Sequence, residues 1–199
     1  MNKNRCPWSE THLDYQHYHD TEWGVPVYDD IKLFETLLLE TFQAGLSWLT
    51  ALRKRENFRV AFDNFDVHKI AGYKAEKIDA LCQDQGIIRN RLKIKAVINN
   101  AHAFLKIQQS YSSFAQYMWS FVDHKPIHNS YRSLDEVPAK TALSDRISLS
   151  LKNHGFKFVG STIVYAHLQA TGMVNDHLVS CFRYEEVKNL GQKGQEFGS

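Results

Sequence analysis

Hydrophobic positions recur with a helical period along most of the chain. The clearest case is DDIKLFETLLLETFQAGLSWLTALRKR, which begins with acidic residues and ends with basic ones. These charges suit the two ends of a helix dipole. Because Gly45 interrupts the pattern, it predicts two helices that meet at QAGLS. The apolar positions of the first helix are Leu33, Phe34, Leu37 and Leu38.

Shorter amphipathic segments follow, and no long alternating pattern typical of a β-strand competes with them. Pro126 and Pro138 bracket a loop, not a linker between domains. The sequence therefore predicts one all-α domain over residues 1–187, folded as two lobes, and a disordered tail over residues 188–199. The segments are DVHKIAGY, AEKIDALCQ, RLKIKAVINNAHAFLKIQQ, FAQYMWSFV, TALSDRISLSLKNHG and VGSTIVYAHLQATG.

Composition limits the classes of protein that the chain can belong to. Its 199 residues are 43% hydrophobic, which is enough for one sizeable core. No run reaches the roughly 18 apolar residues of a membrane span, and the N-terminus MNKNRCPW lacks an apolar signal region. Three cysteines, an odd number, argue against a secreted disulfide framework. We therefore expect a cytoplasmic monomer with no membrane segment.

The formal charge of +2 identifies no partner, but its distribution is informative. Between Gln85 and Val122 the chain contains no Asp or Glu. Such a local basic surface can bind a polyanion even on a nearly neutral protein. The basic residues of this stretch are Arg89, Arg91, Lys93, Lys95 and Lys106.

The segment CQDQGIIRNRLKIKAVINNA predicts a helix end, a short turn with Gly86 and Ile88, and then a basic helix. Backbone N–H groups at such a turn can donate to a phosphate oxygen, while Arg89, Arg91 and Lys93 neutralise its charge. This is the physics of a helix-hairpin-helix element, which binds the DNA backbone without reading bases. The alternative is a solvated turn with an ordinary basic helix face.

In the segment NDHLVSC, His177 and Cys181 stand four residues apart. Positions i and i+4 share one face of a helix, so both side chains could bind a single ion. Structural zinc takes four nitrogen or sulfur donors, so the others must come from elsewhere in the chain. The N-terminal segment RCPWSETHLDYQHYHD offers Cys6, His12, His17 and His19.

Aromatic residues concentrate in the first third of the chain, with one carboxylate of interest among them. Glu40 lies about 60° around the helix from Leu37, at the margin of an apolar face. Its side chain is either exposed there or points into a pocket. A pocket of aromatic rings and one carboxylate suits a flat, cationic guest such as a nucleobase. The aromatic residues are Trp8, Tyr15, Tyr18, Trp23, Tyr28, Phe34, Phe42 and Trp48.

Several blocks, in this order, resemble the 3-methyladenine DNA glycosylase I family of the helix-hairpin-helix glycosylase superfamily. The resemblance runs from Cys6 to Cys181. It implies an enzyme that flips an alkylated base out of double-stranded DNA and hydrolyses its N-glycosidic bond, leaving an abasic site and free 3-methyladenine. The blocks are CPW, YHDTEWGVP, LFETLLLETFQAGLSWLTALRKRENF, QDQGIIRNRLKIKAVINNA, MWSFV, GFKFVGSTIVYAHLQATGMVNDH and the final cysteine.

The resemblance also implies one structural Zn²⁺ that joins the N- and C-terminal segments. Four protein donors leave no position for a reactive water, so this metal would not be the catalyst. Two alternatives remain: a zinc hydrolase with Glu40 as general base beside an open metal, and a non-catalytic module that binds alkylated bases or nucleic acid. His12 and His17 match no ligand position. The matching positions are Cys6, His19, His177 and Cys181.

For the flipped base, the resemblance implies a pocket in which Trp48 stacks on the ring while Glu40 and Tyr18 hydrogen-bond to its edge. Trp8 and Trp23 match positions nearby. 3-Methyladenine is positively charged while attached to deoxyribose, so a carboxylate and electron-rich rings favour it over adenine. Glu40 is the expected catalytic residue.

The hairpin region lacks two groups that other members of the superfamily use. No carboxylate occurs between Asp84 and Asp123, and no clear Schiff-base lysine is present. The prediction is a monofunctional glycosylase that does not cut the strand. Gln43 and Leu46 in FQAGLSW are candidates for the plug and wedge that fill the vacated stack, unless both merely pack around the Gly45 turn.

Overall fold

The computed structural model describes residues 3–193 and is mainly helical. This architecture confirms the predicted all-α class. Two short strands also pair in parallel, β1 (Ile127–His128) and β2 (Val174–Asn175). The helices are α1 (Leu13–Thr21), α2 (Asp30–Gln43), α3 (Trp48–Ala61), α4 (Val67–Ala71), α5 (Ala75–Gln83), α6 (Arg91–Tyr111), α7 (Phe114–Ser120), α8 (Ala142–Asn153), α9 (Ser161–Ala170) and α10 (Phe182–Lys193), with 3-10 turns at Pro7–Thr11, Asp63–Phe65 and Leu134–Glu136.

Helix α2 is the centre of the fold, packed against α3, α6, α7 and α9. Its first turn is capped by Asp29, whose Oδ1 accepts a hydrogen bond from the backbone N of Lys32 at 2.7 Å. The predicted break is confirmed, because α2 ends at Gln43 and α3 begins at Trp48. Gly45 has a φ of +87°, a left-handed conformation that favours glycine.

Two groups of phenylalanines fill the core on either side of α2. Replacing one of these fully buried rings by alanine typically costs about 3–5 kcal/mol. One group is Phe42, Phe58, Phe62 and Phe65, and the other is Phe34, Phe104, Phe114 and Phe156.

Two features differ from the sequence expectation. Strands β1 and β2 have two residues each, which is too short to show an alternating pattern. Helix α10 continues to Lys193, so residues 188–193 of the expected tail are helical. Residues 194–199 of that tail lie outside the described part of the chain. Among the described residues, no helix is long and apolar enough to cross a membrane.

Candidate active site and metal site

Four buried side chains from opposite ends of the chain converge at one point. Their ligand atoms all lie within 4.8 Å of one another. The Sγ atom of Cys181 is 3.4 Å from His19 Nε2 and 3.7 Å from His177 Nδ1. A tetrahedral zinc site has S···N edges of about 3.5 Å, given its usual metal–ligand distances. The cluster therefore has the size and donor chemistry of a zinc site: Cys6, His19, His177 and Cys181.

Neighbouring groups orient both imidazoles of this metal cluster. His19 donates from Nδ1 to Oδ1 of Asp20 at 2.8 Å, and Arg5 holds the Asp20 carboxylate with two nitrogens. His177 donates from Nε2 to the carbonyl oxygen of Trp23 at 3.0 Å. These hydrogen bonds leave His19 Nε2 and His177 Nδ1 facing the cluster, as in histidine metal ligands fixed by a carboxylate or carbonyl.

Close backbone packing brings the chain ends together. Gly24 has a φ of +81°, and a Cβ atom there would lie 3.0 Å from His177 Nε2. At Gly172 a Cβ atom would lie 2.4 Å from the carbonyl carbon of Val25. Glycine is therefore required at both positions for the YHDTEWG segment to lie against the segment that follows α9. His12 stands outside the cluster and caps α1 through the backbone N of Asp14.

An aromatic pocket of about 310 Å³ adjoins the metal cluster. The Trp8 ring lies 5.5 Å from that of His19, and the Trp23 ring lies 4.6 Å from that of His177, both edge to face. The cluster therefore supports one wall of the pocket. All five residues expected at the pocket line it, together with six others. The full set is Trp8, Tyr18, Trp23, Glu40, Gln43, Trp48, Leu134, Val137, Ala166, Gln169 and Asp176.

Glu40 projects from α2 into this pocket and is only 5% exposed. The sequence left Glu40 either exposed or pointing into a pocket, and the structure shows that it points into a pocket. Among the described residues no group donates a hydrogen bond to its carboxylate. Burial raises the pKa of Glu40 to about 8, because a charge without partners is poorly solvated there. In the empty pocket Glu40 is therefore mostly protonated at neutral pH.

Tyr18 and Trp48 form the aromatic side of the pocket next to Glu40, with ring centroids 5.6 Å apart. Burial, and after it the charge of Glu40, raises the pKa of Tyr18 well above its usual range. The indole Nε1 of Trp48 is buried and has no hydrogen-bond partner within the described part of the chain. The site thus holds polar groups that the fold itself leaves without partners, which is unusual outside functional sites.

Asp176 is a second carboxylate of the pocket, and sequence reasoning missed it. It is 3% exposed and accepts hydrogen bonds from Asn129 Nδ2 at 2.6 Å, from Gln169 Nε2 at 2.8 Å and from the hydroxyl of Tyr165. Asp176 lies outside the region after the hairpin, where related glycosylases of the superfamily carry their aspartate. The available signal was its place next to a metal-ligand candidate, His177.

Helices α5 and α6 are joined by a tight turn that presents the predicted phosphate-binding groups. A Cβ atom at Gly86 would lie 2.9 Å from Asp84 Oδ1, which accepts the Gly86 N–H at 2.7 Å. Within residues 3–193, the backbone N–H groups of Ile88 and Arg89 donate to no protein atom. Asn90 caps α6 by accepting the N–H groups of Leu92 and Lys93. The free donors within residues 3–193 are therefore those of the turn and that of Arg91, the first residue of α6.

Lys93 does not occupy the position expected of a phosphate contact. Its side chain is buried, and its ammonium donates to the carbonyl oxygens of Phe42 at 3.1 Å and Ala44 at 2.9 Å. Lys93 therefore caps the C-terminus of α2, and desolvation lowers its pKa. Arg91 is half exposed and pairs with Asp79 at 2.7 Å, while Arg89 is exposed.

The turn between α2 and α3 presents the two candidate stack-filling side chains at the pocket. Gln43 lines the pocket and donates from Nε2 to the carbonyl oxygen of Leu46 at 2.7 Å. Leu46 is 45% exposed. Gln43 thus stabilises the turn, and Leu46 is available for contact with a partner.

Fold and site define a helical protein with an aromatic, acidic pocket built against a cluster of four residues that could bind a metal ion. The profile of the methyladenine glycosylase family matches residues 8–184, and the chain belongs to this family.

Three relatives illustrate the similarity. DNA-3-methyladenine glycosylase 1 of Escherichia coli (strain K12) is 50% identical over 180 residues, covering 90% of this chain and 96% of that protein. DNA-3-methyladenine glycosylase of Haemophilus influenzae is 49% identical over 177 residues, covering 89% and 96%. A structure of 3-methyladenine DNA glycosylase I from Staphylococcus aureus superposes with a TM-score of 0.88 at 38% identity, covering 92% of this chain and 97% of that one.

Proposed function

We propose that this protein is a DNA-3-methyladenine glycosylase, a repair enzyme that removes 3-methyladenine from alkylated double-stranded DNA. It hydrolyses the N-glycosidic bond and leaves an abasic site. The observation that carries the proposal is the buried carboxylate of Glu40, which has no hydrogen-bond donor within residues 3–193, beside Tyr18 and Trp48. The relatives named above carry this activity in their names, and the Staphylococcus aureus structure concerns recognition of 3-methyladenine.

Selectivity for the damaged base follows from the electrostatics of Glu40. A unit positive charge about 4 Å from a carboxylate stabilises it by about 4 kcal/mol at an effective dielectric constant of about 20, or about three pKa units. A bound cationic base would therefore hold Glu40 in its charged form at neutral pH. Neutral adenine offers no such gain and leaves Glu40 protonated. Trp48 stacks on the ring, and Tyr18 hydrogen-bonds to its edge.

The positive charge of the lesion also simplifies the chemistry. When the N-glycosidic bond breaks, its electron pair moves to the base and neutralises it, while water adds to C1′ and releases a proton to solvent. The leaving group therefore needs little acid catalysis. The protein contributes a negative site, aromatic walls and the exclusion of bulk water. No Schiff-base lysine takes part, so the enzyme does not cut the strand.

The metal cluster is assigned to one structural Zn²⁺, which would join the chain ends and fix the wall formed by Trp8 and Trp23. Replacing Cys181 or His177 by alanine should lower zinc content and thermal stability together. The matched control is His17→Ala, because His17 is exposed and lies outside the cluster. Full zinc occupancy in both cluster variants would contradict the assignment.

On the DNA side, the turn after α5 would hold a phosphate with the free N–H groups of Ile88 and Arg89, beside Gly86 and the side chain of Arg91. Gln43 and Leu46 would occupy the vacated stack. A cytoplasmic monomer remains the expectation. Neutralising Arg89 and Arg91 should weaken binding to every duplex and flatten its salt dependence, with affinity for the free base unchanged.

Base release from methylated duplex DNA tests the function directly, with 3-methyladenine, 7-methylguanine and 3-methylguanine measured separately. The wild-type protein should release 3-methyladenine. Glu40→Gln should fold and bind duplex, but release the base more slowly. It should also lose much of its preference for free 3-methyladenine over adenine in a tryptophan-fluorescence titration, because methylation at N3 changes the proton distribution of the ring edge to which Glu40 hydrogen-bonds. A wild-type protein that binds DNA and releases no base would instead be a non-catalytic binding module.

A further inference from the structure

An open groove of about 460 Å³ lies between α6 and the loop that joins α8 to α9. Of its lining residues, only Lys95 is one of the basic residues of the stretch that the sequence predicts as a polyanion-binding surface. Two exposed apolar side chains stand in it, Leu92 at 70% and Phe158 at 46% exposure. The lining residues are Leu92, Lys95, Ala96, Asn99, Lys157 and Phe158.

The loop side of the groove is fixed by side chains from three helices. Asn100 accepts the backbone N–H of Lys157 at 2.8 Å and donates to its carbonyl oxygen at 3.1 Å. Thr41 donates to the carbonyl oxygen of Phe158 at 3.2 Å, and Ser148 donates to that of Val159 at 2.6 Å. The exposed ring of Phe158 is therefore attached to a backbone that cannot easily move.

Phe158 adopts a φ of +57°, in the left-handed region that bulky residues rarely occupy. Asparagine or glycine would adopt this conformation at lower cost. An aromatic ring held outward on a strained, well-anchored backbone stabilises nothing in the core. Such backbone strain is concentrated at sites that bind ligands.

The charge around the groove is positive. Lys95 and Lys157 are exposed, and within residues 3–193 neither forms an ion pair with an acidic side chain. Helix α6 contributes no acidic residue to this face, because none occurs between Gln85 and Val122. Two free ammonium groups beside two apolar side chains match a nucleic-acid strand, which presents phosphates and the apolar faces of sugars and bases.

The groove also continues the surface already assigned to DNA. Leu92 follows Arg91 directly at the start of α6. On the other side, Thr41, which anchors Phe158, follows the pocket residue Glu40 on α2. The α6 end of the groove therefore lies within one helical turn of the hairpin residues assigned to DNA.

We propose that this groove binds the DNA strand next to the flipped nucleotide, with Lys95 and Lys157 on phosphates and the Phe158 ring against a sugar or an unstacked base. The inference rests on the proposed function and adds a second contact region to it. Leu92 lies against the same strand from the α6 side. Phe158 is a binding residue here and has no part in bond cleavage.

The charge contribution is tested with the double variant Lys95→Gln/Lys157→Gln. Its plot of log affinity against log salt should lose about 1.8 units of slope, since each phosphate contact contributes about 0.9. The control Lys140→Gln/Lys188→Gln makes the same change of charge at lysines paired with Asp145 and Glu185. Equal slopes for the two double variants would overturn the proposal.

The contribution of the ring is tested with Phe158→Asn, which keeps the left-handed backbone and removes the aromatic side chain. Affinity for a duplex carrying an abasic-site analogue should fall about tenfold, within the range for one stacking contact. Phe158→Tyr, which keeps an aromatic ring, should bind this duplex with the affinity of the wild type. Melting temperature and affinity for free 3-methyladenine should stay at the wild-type values. Unchanged duplex affinity of Phe158→Asn, or a loss of free-base binding, would overturn the role.

Different outcomes would contradict the proposed activity and the proposed DNA-binding groove. If the wild-type protein binds duplex but releases no 3-methyladenine, the proposed activity is wrong, while the slopes still decide whether the groove binds DNA. If it releases the base and the groove variants bind duplex like wild type, only the groove is wrong.

Discussion

Glu40 and Lys93 are both ionisable side chains that the fold buries near the end of α2, yet their hydrogen-bond partners differ completely. Lys93 donates to two backbone carbonyl oxygens, and Glu40 accepts nothing from the described residues. A buried ionisable group with hydrogen-bond partners is accommodated by the fold, whereas one without partners lowers stability. The contrast separates a residue of the scaffold from a residue of the site.

His167 shows that a buried group without partners is not always part of a functional site. It is fully buried on α9, and neither ring nitrogen has a hydrogen-bond partner in the part of the chain that the structure describes. It also lines none of the cavities described above. A missing hydrogen-bond partner therefore indicates function only where a cavity can admit a ligand. The buried imidazole of His167 lowers the stability of the fold and has no ligand to bind.

The largest effect on stability is expected for Lys93→Met, which keeps most of the apolar stem and removes the ammonium. Two charge-assisted hydrogen bonds are lost and two carbonyl groups at the end of α2 lose their donor, at a cost of about 4 kcal/mol. Chemical denaturation at pH 7 measures the free energy of unfolding. Lys95→Met, at an exposed position two residues later, is the control; equal losses would mean that the carbonyl contacts contribute nothing.

Glu40→Gln should do the opposite and stabilise the protein. The pKa of Glu40 is about 8 in the folded protein against an ordinary 4.5. Between these values the unfolded chain has released a proton that the folded protein retains, so stability falls as pH rises from 4.5 to 8. At pH 7 the variant should be more stable by about 3 kcal/mol, while excising more slowly.

The check on Glu40→Gln is a series of unfolding curves from pH 4 to 8. The free energy of unfolding of the wild type should fall with rising pH, and that of the variant should depend much less on pH. A variant less stable than wild type at pH 7 would mean that Glu40 has a structural partner.

His167→Phe should raise stability in a different pH window. The pKa of His167 is lowered to about 3 by burial, against 6.5 ordinarily. Below pH 6.5 the unfolded chain binds a proton that the folded protein does not, so stability falls as pH decreases towards 3. At pH 5 the phenylalanine variant should gain about 2 kcal/mol from this cause alone. Excision at pH 7 should not change; a loss would give His167 a part in the site.

The smallest effect concerns two ion pairs that join α1 to α3. Arg55 binds Glu22 with two nitrogens where both side chains are largely buried, and Arg53 binds Asp14 where both are exposed. Arg55→Gln should cost about 1 kcal/mol and weaken binding of the free base, because α1 and α3 carry Tyr18 and Trp48. Arg53→Gln should change neither quantity. Equal behaviour of the two variants in the base titration would remove Arg55 from pocket support.

Features of the chain with strong local signals could be predicted from the sequence. The period of α2, α3 and α6 and the break at Gly45 are properties of neighbouring residues, so the sequence displays them directly. The residues of the metal cluster were predicted through the resemblance, since spacing alone offered two ligands and several candidates for the rest.

What the sequence could not supply depends on contacts between distant segments. The role of Lys93 requires that α6 start beside the end of α2, and its basic neighbours gave no sign of this. Asp176 reaches the pocket only because β2, which precedes it, packs against α9, and α9 packs against α2. The groove at Phe158 likewise depends on Thr41 and Asn100, which are far from it along the chain.

Because the cluster joins the two ends of the chain, it can form only late in synthesis. Cys6 and His19 leave the ribosome early, whereas His177 and Cys181 follow only after most of the chain has been translated. Until then Trp23 lacks His177, against which it packs, so the nascent chain has no finished base pocket. At about 5–20 residues per second, the early thiol waits for roughly ten seconds or more. A product that terminates before His177 therefore lacks two of the four ligands and leaves Cys6 and His19 without them.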